Sequence, residues 1–278
     1  MSNAYLRVRS YLLGIQNNVQ VLIMQAINIV LILIMVPFMN SRTTAQDYTQ
    51  VVEELFTAVK NSDKDAAEKV VNQLAGILED ELKDHLNTEN KAKAFWINIY
   101  NTYVQYLLTA NPELFDDRNS FFKNELITLA GKRLSLDDIE HGIIRRSKNK
   151  YSMGYIGKIS VSEFEKKFRL EKVDYRIHFA LNCGAKSCPP VALYKAEKLD
   201  DQLNKSTSLY LKDVAKYDAP ENEVFAPALC SWFKADFGGE AGVVKMMKDF
   251  DIVPKNKDPD VEYLDYDWTL FLSNYIDL

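Results

Sequence analysis

Apolar residues recur at helical spacing over much of the chain. In residues 47–60 they fall three to four positions apart, which places them on one face of a helix. The segment 90–110 is apolar around most of its circumference, and Thr88 before it is a suitable N-cap, so we expect a central buried helix there. The same spacing predicts further helices over residues 64–84, 136–146, 199–214, 231–237 and 240–250.

Strand patterns are fewer and shorter. Residues 127–129 and Leu134 flank a turn at Gly131-Lys132 and predict a hairpin, while 173–183 alternates as a half-buried strand does. Shorter strands are predicted within 223–225 and 261–272. The fold class is therefore α+β: a single helix-rich domain over residues 46–278, with a small mixed or antiparallel sheet.

The N-terminal segment has a different composition. No charged residue occurs between Ser10 and Ser41, and Ile27 to Phe38 is apolar except for one asparagine. Arginines precede this block, and a run of small residues that ends with Ala45 follows it. This order is typical of a secretory signal, here over residues 1–45 with cleavage after Ala45. A retained membrane anchor is the main alternative, because Val19 to Met39 is long enough to span a bilayer, and a wrongly chosen start codon is another. We expect export to the periplasm or the extracellular space.

The charge and the cysteine content argue against two classes of protein, nucleic-acid binders and disulfide scaffolds. The chain carries 34 basic and 39 acidic side chains, and without residues 1–45 the count is 31 against 39. Such an acidic chain is not expected to bind nucleic acid. Three cysteines are too few for a disulfide scaffold.

Two asparagines stand out in the apolar helix at 90–110. Asn98 and Asn101 are three positions apart and so lie close together on one face. Buried amides need hydrogen-bond partners. They either clamp the backbone of a neighbouring loop or line a pocket and position a substrate.

Candidate chemistry is concentrated in residues 176–190. On the predicted strand, Arg176, His178 and Asn182 share one face, which is either solvated or one wall of a polar cleft. Cys183 and Cys188 bracket the following loop. A disulfide is the leading interpretation of this pair, and structural thiols, a nucleophilic thiolate served by His178 or His141, and a metal site are the alternatives.

A second histidine lies within the predicted helix over residues 136–146. His141 follows Glu140 there, behind a capping-box pattern that Ser135 begins. A lone helical histidine is most often a hydrogen-bonded structural residue, so His141 is a weaker catalytic candidate than His178.

Five motifs in order suggest a family: FWINIYN, SLDDIEHGIIR, DYRIHFALNCGAKSCPP, SWFKADF and YDWTL. The chain from about residue 91 to residue 278 resembles the family called domain of unknown function 547. That resemblance implies that the segments bearing the asparagines, the histidines and the cysteines belong to one module. It names no reaction, substrate or cofactor.

The chain also has a weaker likeness to another architecture. A buried aromatic helix followed by a sheet-borne histidine is similar to the papain and transglutaminase-like arrangement. There, however, the helix begins with a cysteine, and none lies near Phe95.

Two functions follow from these observations. The first is an exported, non-catalytic binding or structural module with a polar pocket, built from Asn98, Asn101, Glu140, Arg176 and Asn182. The alternative is a thiol-dependent hydrolase or acyl transferase for peptide-like or amide substrates, with His178, Cys188, Cys183 and His141 as catalytic candidates. We predict no cofactor and no metal, a small-molecule or peptide ligand, and membrane contact only through an uncleaved N-terminal segment.

Overall fold

Four helices open the described part of the chain, which in this computed structural model is residues 47–278. The predicted signal or anchor lies outside the described residues. The helices are α1 (Tyr48–Lys60), α2 (Lys64–Ala75), α3 (Glu79–His85) and α4 (Glu89–Ala110). The single helix predicted over 64–84 is thus two helices, because the chain leaves helical geometry after Gly76. None of the described helices is both long and apolar enough to cross a bilayer.

Helix α4 lies at the centre of the larger apolar core. Phe95, Trp96 and Ile97 are three consecutive residues with no exposed surface, so the helix is packed on every side. The Thr88 side chain accepts a hydrogen bond from the backbone N–H of Lys91, as its N-cap position predicts. The predicted central helix is confirmed.

A short helical segment and a hairpin follow α4. The segment contains a 3₁₀ turn (Pro112–Phe115) and α5 (Arg118–Lys123). Strands β1 (Ile127–Leu129) and β2 (Lys132–Leu134) then pair antiparallel, as the sequence predicts.

The next element is a π-helix over Asp138–Ile144, where an α-helix was predicted. Its start was predicted correctly, because Ser135 and Asp138 exchange side-chain-to-backbone hydrogen bonds. Further along, the N–H groups of Arg145 and Ser147 donate to carbonyls five positions back. Such wide turns are rare in proteins, and those that do occur are frequently found at functional sites.

The strand predicted over 173–183 is wrong. Residues Tyr175–Phe179 form a 3₁₀ helix, which begins where the Asp174 carboxylate accepts a hydrogen bond from the Arg176 N–H. Ile177, His178 and Phe179 are all buried, so the segment has no exposed face of the kind that alternation implies. The apolar residues that suggested an alternating strand are spaced as they are because this segment is buried on several sides.

The remaining elements surround a small sheet. They are α6 (Glu163–Phe168), a 3₁₀ turn (Ala196–Lys198), α7 (Leu199–Val214), β3 (Lys216–Asp218), β4 (Glu223–Ala226), α8 (Ala228–Trp232), α9 (Gly239–Asp249) and β5 (Asp260–Tyr263). Strand β4 pairs antiparallel with β3 and parallel with β5. The α+β class with a small mixed sheet is confirmed, although β5 is shorter than the strand predicted at 261–272.

Two apolar clusters fill the interior of residues 47–278. The larger surrounds α4, and the smaller lies between α9 and the sheet, where Val224, Val243 and Met247 are fully buried. Tyr266 packs against both clusters. The candidate site lies where the two clusters meet.

Candidate functional site

A cavity of about 410 Å³ lies at this junction. Its walls are mainly aromatic and include Phe122, Trp232, Phe233, Tyr266 and Trp268. The polar side chains that border it come from separate parts of the chain: Tyr100, Asp137, Glu140, His141, Lys150, His178 and Cys183. An apolar enclosure with a few convergent polar groups is the usual form of a small-molecule site.

The His178 ring is fixed on two sides. Its Nε2 lies 3.0 Å from Oδ2 of Asp236, and its face stacks on Phe233 with centroids 4.0 Å apart and planes 7° apart. In the described part of the chain the only hydrogen bond of the ring is the one at Nε2, and Nδ1 forms none. Because the ring borders the cavity, Nδ1 is the nitrogen left for a cavity ligand.

Arg145 connects this pair to the second histidine. Its Nε donates to Asp236 Oδ2 at 2.6 Å, and its Nη1 lies 2.9 Å from His141 Nδ1. The guanidinium also lies 4.3 Å from the centroid of the Phe233 ring, a cation–π distance. Arg145 and Asp236 have 0% and 1% of their side-chain surface exposed, so this is a buried ion pair.

The electrostatics keep both imidazoles neutral and the carboxyl charged. Burial lowers the pKa of His178, and the effect exceeds the opposing hydrogen bond to Asp236. Burial and the Arg145 charge lower the pKa of His141 to about 3. Burial alone would raise the pKa of Asp236, but hydrogen bonds from His178 and Arg145 hold it below its usual value. The Nε2–H of His178 therefore donates to a carboxylate.

A third polar group of the cavity is the Glu140 carboxylate. The Tyr100 hydroxyl donates to it at 2.9 Å. Burial, together with the nearby Glu140 charge, raises the pKa of Tyr100 well above its usual value, so the phenol stays protonated. The neighbouring Asp137 accepts two hydrogen bonds from Lys150, each at 2.9 Å.

The two cysteines of the 176–190 segment meet at Tyr266. Its hydroxyl lies 3.4 Å from Cys183 Sγ and 3.1 Å from Cys188 Sγ, and the Cys183 N–H donates to Cys188 Sγ. All three cysteines of the described chain, including Cys230, are free thiols. The structure therefore does not contain the disulfide that the spacing suggested.

The two thiols of the pair have pKa values that are shifted in opposite directions. A hydrogen bond to Cys188 and burial raise the pKa of Cys183 well above its usual value. Burial opposes ionisation of Cys188, but hydrogen bonds from Cys183 and Tyr266 lower its pKa. Cys183 borders the cavity with His178, while the Cys188 side chain is buried behind it. Within residues 47–278, neither thiol hydrogen-bonds an imidazole.

Asn98 and Asn101 clamp backbone segments against α4. Asn98 exchanges two hydrogen bonds with the N–H and C=O of Tyr194. Asn101 donates to the carbonyl of Ala180 and accepts from the N–H of Asn182. Neither asparagine borders the cavity, but Asn101 holds the backbone on both sides of Leu181, which does.

Two other predicted pocket residues also lie outside the cavity lining. The Asn182 side chain accepts from the Gly184 N–H and donates to the Pro189 carbonyl, so it braces the cysteine loop from within. Arg176 forms a two-bond ion pair with Asp174. Of the predicted pocket residues, Glu140 alone borders the cavity among the described residues.

The sequence reasoning missed Arg145 and Asp236. Both occur in motifs quoted for the family resemblance, SLDDIEHGIIR and SWFKADF, which also supply Phe233. Aromatic residues on both sides of Asp236 were the available signal, because a charged residue between apolar neighbours needs a partner if it is buried.

No group of three or more metal-ligating side chains is placed to hold a metal ion in residues 47–278. What the arrangement offers is a neutral imidazole acceptor, an oriented carboxylate, a thiol and aromatic faces around one cavity. These groups suit hydrogen bonding and stacking with an organic molecule, and general base chemistry at His178.

Comparison with known proteins agrees with the sequence motifs. Residues 84–211 match the sequence model of a family described as "Protein of unknown function, DUF547". The chain resembles the DUF547 family. The DUF547 match contains three of the five motifs and includes His141, His178 and both cysteines of the pair, whereas Asp236 and Tyr266 lie beyond it. No curated protein and no solved structure matches the chain.

Proposed function

We propose that this DUF547-like chain binds a small organic molecule in the aromatic cavity. The observation that carries the proposal is the fixed His178 ring. Asp236 and Phe233 hold it while its Nδ1 stays without a partner among the described residues, beside a cavity of ligand size. An acceptor at the cavity that is held in place ahead of binding favours a ligand that completes its hydrogen bonds.

The lining indicates the chemistry of that ligand. Trp232 and Trp268 are stacked at 5.5 Å and border the cavity with Tyr266, so a planar or apolar body is favoured. Among the polar groups that border the cavity, the neutral imidazole of His178 and the Glu140 carboxylate accept hydrogen bonds, while Lys150 is paired with Asp137. A neutral ligand with N–H or O–H donors, such as an aromatic amide, fits these groups best.

Tryptophan fluorescence tests this proposal directly, because Trp232 and Trp268 line the cavity. We expect benzamide and N-acetylphenylalanine amide to shift the emission and to raise the melting temperature of the chain. Trp268→Ala and His178→Phe should weaken this response by about tenfold or more, the equivalent of one lost buried contact. Phe271→Ser, which changes an exposed ring away from the cavity, is the control. Equal responses in all variants would refute the proposal.

A thiol-dependent hydrolase or acyl transferase is the second candidate. It is favoured by one observation, that the free thiol of Cys183 borders the same cavity as His178. In such a reaction the sulfur attacks a carbonyl, the leaving group departs with a proton, and water hydrolyses the thioester. Against it stands the pairing of each thiol with Tyr266 and not with an imidazole.

Ester turnover distinguishes the two candidates. A thiol enzyme should hydrolyse p-nitrophenyl acetate, and Cys183→Ser or Cys188→Ser should abolish turnover without unfolding the chain. Cys230→Ser is the matched control, because this buried thiol lies away from the cavity lining. Amide binding without any thiol-dependent turnover would leave the binding module as the function.

We also propose export, on the basis of the N-terminal sequence alone. N-terminal sequencing of the chain recovered from the exported fraction should give Gln46 as the first residue. A chain that keeps Met1 and sediments with membranes would show instead that the segment is an anchor.

A further inference from the structure

Exposed apolar residues concentrate on one loop at the cavity. Of the nine large hydrophobic side chains that are exposed in residues 47–278, five lie within residues 148–160, here called the 148–160 loop. They are Tyr151, Met153, Tyr155, Ile156 and Ile159, with exposures of 73%, 47%, 58%, 64% and 103%. Single exposed apolar residues are ordinary, but such a concentration marks an interaction surface.

The loop has an ordered backbone. The Asn149 N–H donates to the Ile156 carbonyl, and the Lys158 N–H donates to the Ser147 carbonyl. The Ala235 N–H also donates to the Met153 carbonyl, which ties the loop to the segment that carries Asp236. The apolar side chains are therefore presented on a braced loop.

The charge of this region is opposite to that of the whole chain. Residues 145–162 contain five basic residues and no acid, although the chain has a net charge of −5. Lys150 and Lys158 are paired with Asp137 and Glu165, and Arg145 with Asp236. Arg146 and Lys148 have no carboxylate within ion-pair distance in the described part of the chain, and they directly precede the apolar residues in sequence.

We propose that the 148–160 loop docks on an anionic lipid surface. Exposed tyrosine and isoleucine side chains with adjacent unpaired cations are the composition that binds the interface of an anionic bilayer. Tyr151 and Met153 belong both to this loop and to the cavity lining, so docking would place the cavity beside the lipid surface. This goes beyond the expectation that only the N-terminal segment contacts a membrane, and it stands independently of the proposed ligand binding.

Hydrogen exchange of the full chain on vesicles tests the proposal locally. Two vesicle types are used: phosphatidylcholine alone, and phosphatidylcholine with about a third phosphatidylglycerol. We expect exchange in the 148–160 loop to slow on the anionic vesicles only, and the protection to weaken as salt screens the charges. Because the readout is local, binding through residues 1–46 does not imitate it.

Variants separate the charge contribution from the apolar one. Arg146→Gln and Lys148→Gln should each lower the partition coefficient on anionic vesicles about fivefold. Ile156→Ser and Ile159→Ser should each lower it about tenfold. Leu209→Ser and Phe271→Ser are the matched controls, because both side chains are exposed elsewhere, and they should bind like the parent chain.

Three results would overturn the proposal. One is an unprotected loop on both vesicle types, and another is vesicle binding that the loop variants leave unchanged. The third is loop protection that grows with protein concentration in the absence of lipid, which would assign the surface to a second copy of this chain.

Discussion

Asp236 is the residue on which the arrangement of the site depends most. Its Oδ2 lies 2.6 Å from Arg145 Nε and 3.0 Å from His178 Nε2, and all three side chains are almost completely buried. A buried guanidinium is tolerated only with a compensating charge. One carboxylate therefore stabilises the fold and also fixes the ring that faces the cavity.

Asp236→Asn removes that charge while keeping the side-chain shape. Because Arg145 would then be a buried charge without a counter-ion, we expect a loss of about 3–5 kcal/mol in the free energy of unfolding. Urea denaturation followed by circular dichroism measures it. Asp265→Asn, an exposed aspartate that forms no ion pair in the described chain, should leave the midpoint unchanged. Equal midpoints for the two variants would show that Arg145 does not need Asp236.

Gly154 is a second position where a small change would disturb the ion pair, because one added side-chain atom would contact it. Its φ is +87°, and an added Cβ would lie 2.5 Å from Asp236 Oδ1 and 3.0 Å from Arg145 Nη2. Gly154→Ala should therefore cost about 1–3 kcal/mol and weaken amide binding, because it displaces the ion pair. Gly157→Ala in the same loop meets nothing closer than 3.4 Å and is the control. Unfolding curves of both variants measure the loss of stability, and titrations with benzamide measure the loss of binding.

Arg145 and Asp236 were not selected from the sequence, because the local signals for their burial are weak. An arginine near a helix end and a single aspartate in a segment with aromatic residues are both common on protein surfaces. Arg145 and Asp236 are 91 positions apart in sequence, and only their contact in the folded chain shows that they are buried together. His178 was selected because a predicted strand placed it on a polar face with Arg176 and Asn182, although the segment is a 3₁₀ helix. The identity of its partner depends on tertiary contacts.

At the scale of elements, Asn101 of α4 sets the position of one side of the site. Asn101 satisfies the carbonyl of Ala180 and the N–H of Asn182, and thereby holds the irregular stretch between His178 and Cys183. Helix α4 thus orients the cavity without contributing these amides to its lining. A clamp of this kind was one of the two alternatives that the sequence left open.

Asn101→Ala should leave those two backbone groups buried without partners. We expect a cost of about 1–3 kcal/mol for each unsatisfied group. The stability is measured by urea denaturation, and faster hydrogen exchange in residues 180–183 would locate the effect. Asn90→Ala, an exposed asparagine in the first turn of the same helix, is the matched control. Equal exchange rates in both variants would mean that the loop is held by other contacts.

Local signals predicted the element boundaries well where a cap defines them. Thr88 and Ser135 each begin a helical element at the predicted place, and the turn at Gly131 gives the predicted hairpin. The π-helix was not predictable, because its wide turns depend on what packs around it. The strand at 173–183 failed because burial on several sides produces the same apolar spacing as a two-faced strand.

At the scale of the whole molecule, the cavity forms at the junction of two apolar clusters. Leu181 belongs to the larger cluster and Leu229 to the smaller one, and both border the cavity. The DUF547 match ends at residue 211, before the segments that supply Asp236 and Tyr266. The candidate site therefore requires the C-terminal part of the chain as well as the matched region.

The two buried imidazoles also make the stability of the whole chain depend on pH. The pKa of His141 is lowered from 6.5 to about 3, so below pH 6.5 the unfolded chain binds a proton that the folded chain refuses. Stability conferred by neutral His141 is complete above pH 6.5 and is lost as the pH falls toward 3. The slope is about 1.4 kcal/mol per pH unit for one proton. Urea denaturation across this range should therefore give a shallower pH dependence for His141→Gln than for the parent chain. His178, whose pKa is also lowered by burial, contributes in the same direction in both chains. Identical slopes would show that His141 protonates as readily in the folded chain as in the unfolded one.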